Sequence, residues 1–305
     1  MRRPVLDPAA RALADATAQP PFLYGMPPAE ARAAIRDLQH PEFFVPGVTR
    51  ESLPDAGLTL FRPAGAEGPL PVVLYLHGGW VFGGEDSHGR LARELALGSG
   101  AAVAFADYTR APEARYPVAL REARAALDWI RTHGDGHGLD PARVAVAGDA
   151  EGGALAAALA LVDPHGLAGQ LLLCPATDAS FDTGSYREFA EGHFLRAADM
   201  RWSWDQYLPD PVHRTEMTAS PLRATDADLA ALPPALVVTA EADILRDEGE
   251  AYAARMRAAG VRATSVRYDG VIHGFVTLNA LRGTHAAAMA IDQAGRFLAS
   301  VLREK

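Results

Sequence analysis

From residue 58 onward, short apolar runs alternate with longer stretches of helical spacing, and this rhythm restricts the chain to few architectures. The runs are 72–76 (VVLYL), 102–106 (AVAFA), 143–147 (RVAVA), 170–173 (QLLL) and 235–239 (ALVVT). Helical patterns occupy 117–132, 152–162, 246–259 and 284–302. Leu120, Ala123, Leu127 and Ile130 share one helical face, as do Tyr252, Met256 and Ala259, with Gly260 placed as a C′ stop. Near-continuous apolar strands separated by helices form a mostly parallel sheet covered on both faces. The expected fold class is therefore α/β. Ligands of such sheets bind beyond the carboxyl ends of the strands, so the residues just after each run are the candidates for chemistry.

Two regions stand outside this rhythm. Residues 7–18 and 28–39 have helical spacing, with Leu6, Leu13, Ile35 and Leu38 as apolar contacts and Pro20-Pro21 and Pro27-Pro28 as punctuation. Residues 181–225 hold Phe181, Tyr186, Phe189, Phe194, Trp202, Trp204 and Tyr207 but no strand-like run. The expected organisation is a helical cap over 1–45, a core over 46–305 and a cap insertion near 181–225. The aromatics of that insertion also fit plain helix packing.

Composition excludes several functions. The net charge of −9 argues against nucleic acid or an anionic membrane as partner. The single lysine is Lys305, so a buried Schiff-base lysine, a pyridoxal phosphate anchor and a P-loop lysine are not expected. With one cysteine, Cys174, no intrachain disulfide forms, which fits a reducing compartment. No apolar run of signal-peptide or membrane-span length is present, and a cytoplasmic location is expected. No GxGxxG follows a strand, so no dinucleotide is expected. His133, Asp135 and His137 lie in a glycine-rich segment that reads as a solvated loop rather than a metal site. The expectation is no cofactor.

The chemistry-bearing segments follow the strands in order. His77-Gly78-Gly79-Trp80 ends the first strong run, where glycines let backbone N–H groups approach a ligand, as an oxyanion hole requires. Gly148-Asp149-Ala150-Glu151-Gly152-Gly153 follows the third run and leads into an alanine-rich helix. That strand–turn–helix passage matches the G-x-S-x-G nucleophile elbow, with Ala150 at its centre. Asp243 follows the run ending at Thr239, and His273 lies in the later segment Tyr268-Asp269-Gly270-Val271-Ile272-His273-Gly274-Phe275. Elbow, acid and histidine in that order match an α/β-hydrolase triad, with Asp243 orienting His273. Asp243 also suits a helix start without any catalytic role.

With Asp107-Tyr108-Thr109-Arg110-Ala111-Pro112-Glu113 and the DILRDEG and HGF segments, these motifs resemble the bacterial hormone-sensitive-lipase family of carboxylesterases over nearly the whole chain. The resemblance implies an α/β-hydrolase fold with a helical cap and short-chain esters as usual substrates. It places Ala150 at the serine position, Asp243 as the acid, His273 as the base and Gly78 and Gly79 as oxyanion donors, beside Trp80 and Asp149. It also implies a small-molecule substrate and leaves a homodimer open.

Three departures separate the chain from that family. Ala150 carries no nucleophilic atom, and loss of a serine nucleophile costs on the order of 10⁶ in rate. Glu151 stands where an alanine is usual, bringing a carboxylate to the oxyanion site, although an acidic residue also suits a helix's first turn. The glycine run of the HGG segment is one residue short, which should move or remove a donor. A substrate-trapping exchange would alter the serine alone. The expected function is accordingly a repurposed, non-hydrolytic acid–base enzyme (lyase, cyclase or isomerase type) with His273 as base and Glu151 as a second acid or base. A carboxylesterase held inactive by a serine-to-alanine exchange, slow hydrolysis by water activated at Glu151 or Asp149, and a binding protein without catalysis are the alternatives.

Overall fold

A computed structural model describes residues 4–41 and 43–303. Eight strands form one sheet: β1 (Val48–Leu53), β2 (Leu58–Pro63), β3 (Leu70–Leu76), β4 (Ala102–Ala106), β5 (Leu139–Asp149), β6 (Leu167–Leu173), β7 (Ala235–Ala242) and β8 (Ala263–Ile272). The helices are α1 (Pro8–Ala16), α2 (Pro28–Leu38), α3 (Glu85–Ser99), α4 (Val118–His133), α5 (Ala150–Val162), α6 (Gly184–Glu188), α7 (Ala197–Tyr207), α8 (Asp226–Ala230), α9 (Arg246–Ala258) and α10 (His285–Val301). None among the described residues is long and apolar enough to cross a membrane.

Strand order is β1-β2-β4-β3-β5-β6-β7-β8, with β2 antiparallel to both neighbours and β3 to β8 parallel. The crossover from β3 to β4 moves one way along the sheet, and those from β4 to β5 and β5 to β6 move the other way. Right-handed crossovers in opposite directions place their helices on opposite faces. Hence α3 covers one face, where it packs on α10, while α4 and α5 pack together on the other. Reversal of direction beside β3 and β5 opens the crevice in which parallel sheets hold ligands.

The anticipated strands and helices are all present. Leu120, Ala123, Leu127 and Ile130 are buried on α4, and Gly260 follows α9 at φ 90°. Five elements, the short α8 among them, had no readable signal. Strands β1 and β2 form the antiparallel edge, and β8 is only partly buried. Helix α3 turns Ser87, His88 and Arg90 inward at its first half, so polar residues mask its apolar period. Within 181–225 the chain forms α6, α7 and 3₁₀ turns rather than strands.

Register sets the rim of the site. Leu76 pairs with Gly148, Asp149 with Leu173, and Ala242 with Ile272. The residues following these pairs converge at the carboxyl ends of β3, β5, β6, β7 and β8. The turn from β5 into α5 is pressed against β3. A Cβ on Gly152 would lie 2.2 Å from the Leu76 carbonyl oxygen and 2.3 Å from that of His77. Both are backbone atoms that cannot swing aside. Gly152→Ala is therefore expected to lower unfolding stability by about 3 kcal/mol, the upper range for overpacking. Urea denaturation measures it, and a loss below about 1 kcal/mol would show that the turn relaxes.

Candidate functional site

Ala150 begins α5 at φ 47°, a left-handed conformation that costs a non-glycine residue about 1–2 kcal/mol. Its methyl group forms part of a cavity wall, and nothing in alanine itself favours this conformation. The turn holds residue 150 at its apex because β5 passes directly into α5 between Gly148 and Gly152. A Cβ on Gly148 would stand 2.3 Å from the Gly152 carbonyl oxygen.

His273 and Asp243 meet across β7 and β8. The imidazole Nδ1 donates to Asp243 Oδ2 at 2.8 Å, while Asp243 Oδ1 accepts the Leu245 amide at 3.0 Å. The carboxylate is thus held from both sides, with the ring's other nitrogen left for the cavity, which His273 lines. Burial opposes charge on His273. The Asp243 carboxylate, by charge and hydrogen bond, outweighs that, aided by Glu151 and Asp149, and raises the imidazole above its usual 6.5.

The two glycine amides of the HGG turn are both occupied. Gly78 N–H donates to Asp149 Oδ1 at 3.0 Å, and Gly79 N–H donates to Glu151 Oε2 at 3.0 Å. Glu151 Oε1 accepts the Ser203 hydroxyl of α7 at 2.9 Å. Asp149 also accepts from Tyr75 at 2.5 Å and faces His88 Nε2 at 3.1 Å. Burial works to raise Asp149, but His88, Tyr75 and the Gly78 amide hold its carboxyl below the usual range. Both amides of the short glycine run therefore point at side chains of the elbow. Carboxylates fill both, so neither amide is free for a substrate oxygen.

Trp80 departs from its expected place. It stacks on Tyr207 at 4.0 Å between centroids, meets Trp204 edge-on at 4.7 Å, and lies outside the cavity wall. The residue after the glycines turns into the aromatic cluster beneath α7 because Trp204 and Tyr207 offer it a flat, buried surface. Phe189, Trp204 and Tyr207 of the insertion are core residues, whereas Phe194 faces the cavity. That cavity encloses about 620 Å³ of empty space, its open mouth included. Leu23, Ile35 and Gln39 of the N-terminal segment and Phe194, Leu195 and Asp199 of the insertion line it opposite the dyad. Gln39 ties the N-terminal segment down, donating to the Ser87 carbonyl at 2.6 Å and the Thr277 carbonyl at 3.1 Å.

His133 and His137 lie against Trp129 and form no ligand set with Asp135. Among the described residues the one grouping with metal-ligand spacing is Cys174, Asp243 and His273, whose donor atoms lie within 4.8 Å of one another. The 2.8 Å hydrogen bond already satisfies two of those atoms. Cys174, at the end of β6, is the one thiol near the imidazole. Burial and the adjacent Asp243 carboxylate push it well above the ordinary thiol range, so it stays protonated and unreactive at neutral pH. Sequence reading missed Cys174, which directly follows β6, His88 on the unrecognised α3, and Asp199 and Ser203 on α7 of the insertion.

A base with a raised midpoint loses function as pH falls through it, because only the neutral ring accepts a proton. The His273 resonance is expected to titrate above 6.5 by NMR, and Asp243→Asn should lower its midpoint by about one unit or more. An unchanged midpoint in Asp243→Asn would remove Asp243 as the cause.

A family model described as alpha/beta hydrolase fold matches residues 73–277. Carboxylesterase NlhH of Mycobacterium tuberculosis is 35% identical, with 99% of this chain and 97% of that protein covered. Carboxylic ester hydrolase LipN of the same organism is 38% identical over 85% of this chain and 72% of its own length. The crystal structure of a thermostable esterase from Pseudomonas putida superimposes with a TM-score of 0.95 at 42% identity, covering all of both chains. The glycine elbow, the histidine–aspartate pair and these likenesses agree: the chain belongs to the α/β-hydrolase fold family, within the hormone-sensitive-lipase-like group whose relatives are carboxylesterases.

Proposed function

We propose that the chain is an acid–base enzyme on a carboxylesterase scaffold, acting on a small, largely apolar substrate through His273 without an acyl-enzyme at residue 150. One observation carries this reading: the Glu151 carboxylate sits on the Gly79 amide and is anchored there by Ser203. Ester cleavage builds negative charge on the carbonyl oxygen, and donors aimed at that oxygen supply much of the acceleration. A carboxylate on that amide removes the donor and adds repulsion. Proton transfer needs neither a nucleophile nor that donor. In this reading His273 takes a proton from the substrate, and Asp243 stabilises the imidazolium formed. Elimination, cyclisation and isomerisation are the reaction types that follow. The segments 1–45 and 181–225 act as a cap over a 46–305 core.

A second reading, a carboxylesterase silenced by a serine-to-alanine exchange, has its own support. Ala150 keeps the left-handed φ of 47° that presents a nucleophile, and the relatives named above are esterases. The readings separate on p-nitrophenyl acetate. On the first, Ala150→Ser alone stays near background, and Ala150→Ser with Glu151→Ala gains about 10²-fold or more, the scale of one oxyanion donor. Robust turnover with an acyl-enzyme burst from Ala150→Ser alone would establish the second. Once a turnover substrate is in hand, His273→Ala should lower kcat by about 10²–10⁴-fold, and unchanged turnover would remove His273 from the mechanism.

A further inference from the structure

Four buried carboxyl groups border or underlie the cavity, and their partners are unequal. Asp243 faces the His273 ring at 2.8 Å, and Asp149 faces the His88 ring at 3.1 Å. Asp199 Oδ2 accepts the Arg196 amide at 3.0 Å and stands 3.9 Å from that residue's guanidinium. Its other oxygen, Oδ1, is enclosed by protein, and the Tyr24 backbone also hydrogen-bonds the Asp199 carboxylate, which is only 5% exposed. Glu151 is 4% exposed, and its two donors, the Gly79 amide and the Ser203 hydroxyl, are both uncharged. No ion pair reaches Glu151 among the described residues, and the cavity wall contains no arginine or lysine.

Buried carboxylates are ordinarily paired with a cation, because hydrogen bonds from neutral donors recover only part of their lost hydration. In a carboxylesterase the same position would meet the negative oxygen of a substrate. Here its sign is reversed. The remaining wall mixes polar side chains, the His88 and His273 rings among them, with apolar ones, and Phe82 and Phe194 supply aromatic rings able to face a positive group.

We infer that this cavity takes a small organic cation, a protonated primary or secondary amine on a largely apolar body, with Glu151 as its counter-ion. This rests on the placement of Glu151 in the former oxyanion site that underlies the proposed function, and it names the substrate class of that site. The ammonium group replaces the missing cation, and the apolar body fills the space between the N-terminal segment and the insertion. Carboxylate ligands of equal size are excluded by repulsion from Glu151 and Asp199.

Three probes of one skeleton decide it: 3-phenylpropan-1-amine, 3-phenylpropan-1-ol and 3-phenylpropanoate, titrated calorimetrically into the full chain at low salt. The amine is expected to bind at least about tenfold more tightly than the alcohol, and the carboxylate not at all, in keeping with the weight of a desolvated charge pair. Glu151→Gln should weaken the amine by about tenfold or more and leave the alcohol within about threefold. Carboxylate binding equal to the amine's, amine affinity unchanged in Glu151→Gln, or no amine binding up to about 10 mM would each overturn the inference. The wild-type series is decisive on its own if the variant fails to fold. Since only binding is read, failure here stays distinct from failure of the catalytic reading, which Ala150→Ser and His273→Ala decide.

Discussion

The backbone contact between the first turn of α5 and the end of β3 holds the whole site in place. Gly152 lies so close to the Leu76 and His77 carbonyls that no side chain fits between them. Because β3 and β5 are neighbours in register, this contact brings the HGG turn and the elbow within hydrogen-bond reach. The positions of Gly78, Gly79, Asp149, Ala150 and Glu151 follow from it. The dyad is built separately, from the pairing of β7 with β8, and meets the elbow at the shared rim of the sheet.

On this frame two carboxylates of the elbow meet the two amides of the glycine turn. Ala150 retains the strained backbone of a nucleophile position, while Glu151 and Asp149 take the two glycine amides. The two amides thus serve the protein's own side chains. A donor satisfied by an internal carboxylate is stable in the empty site and unavailable in the occupied one. The His273 ring is held in one orientation because Asp243 is buried, accepts from its Nδ1 and is bound on its far oxygen by the Leu245 amide. The wall formed by Leu23, Ile35, Phe194 and Leu195 contributes apolar surface from residues far apart in sequence.

Legibility followed the range of the interaction. The strands β3 to β7, the helices α4, α5, α9 and α10, and the elbow were readable because their signals lie within a few residues: apolar period, glycine spacing, strand-to-helix passage. Helix α3 was not, because His88 and Arg90 face inward to hydrogen-bond with Asp149 and the loop carbonyls of Val276 and Thr277, reversing the usual polarity of a helix face. Ser203 carried no local mark; its significance is a contact with Glu151 across 52 residues. Trp80 sits beside the oxyanion glycines in sequence, yet its ring turns to Tyr207, since aromatic surface from α7 lies behind the turn.

Sequence alone determined which atoms are present: a methyl group at 150, a carboxylate at 151, an acid and an imidazole in triad order, and no lysine within the core. These are properties of composition and order, and no fold alters them. Tertiary structure decided which donors those atoms consume. Whether Glu151 points to solvent, to the helix's own first turn or onto the Gly79 amide depends on how β3 and β5 align and on where α7 brings Ser203. Several such rotamers satisfy a carboxylate at a helix start, and only packing from distant segments selects one.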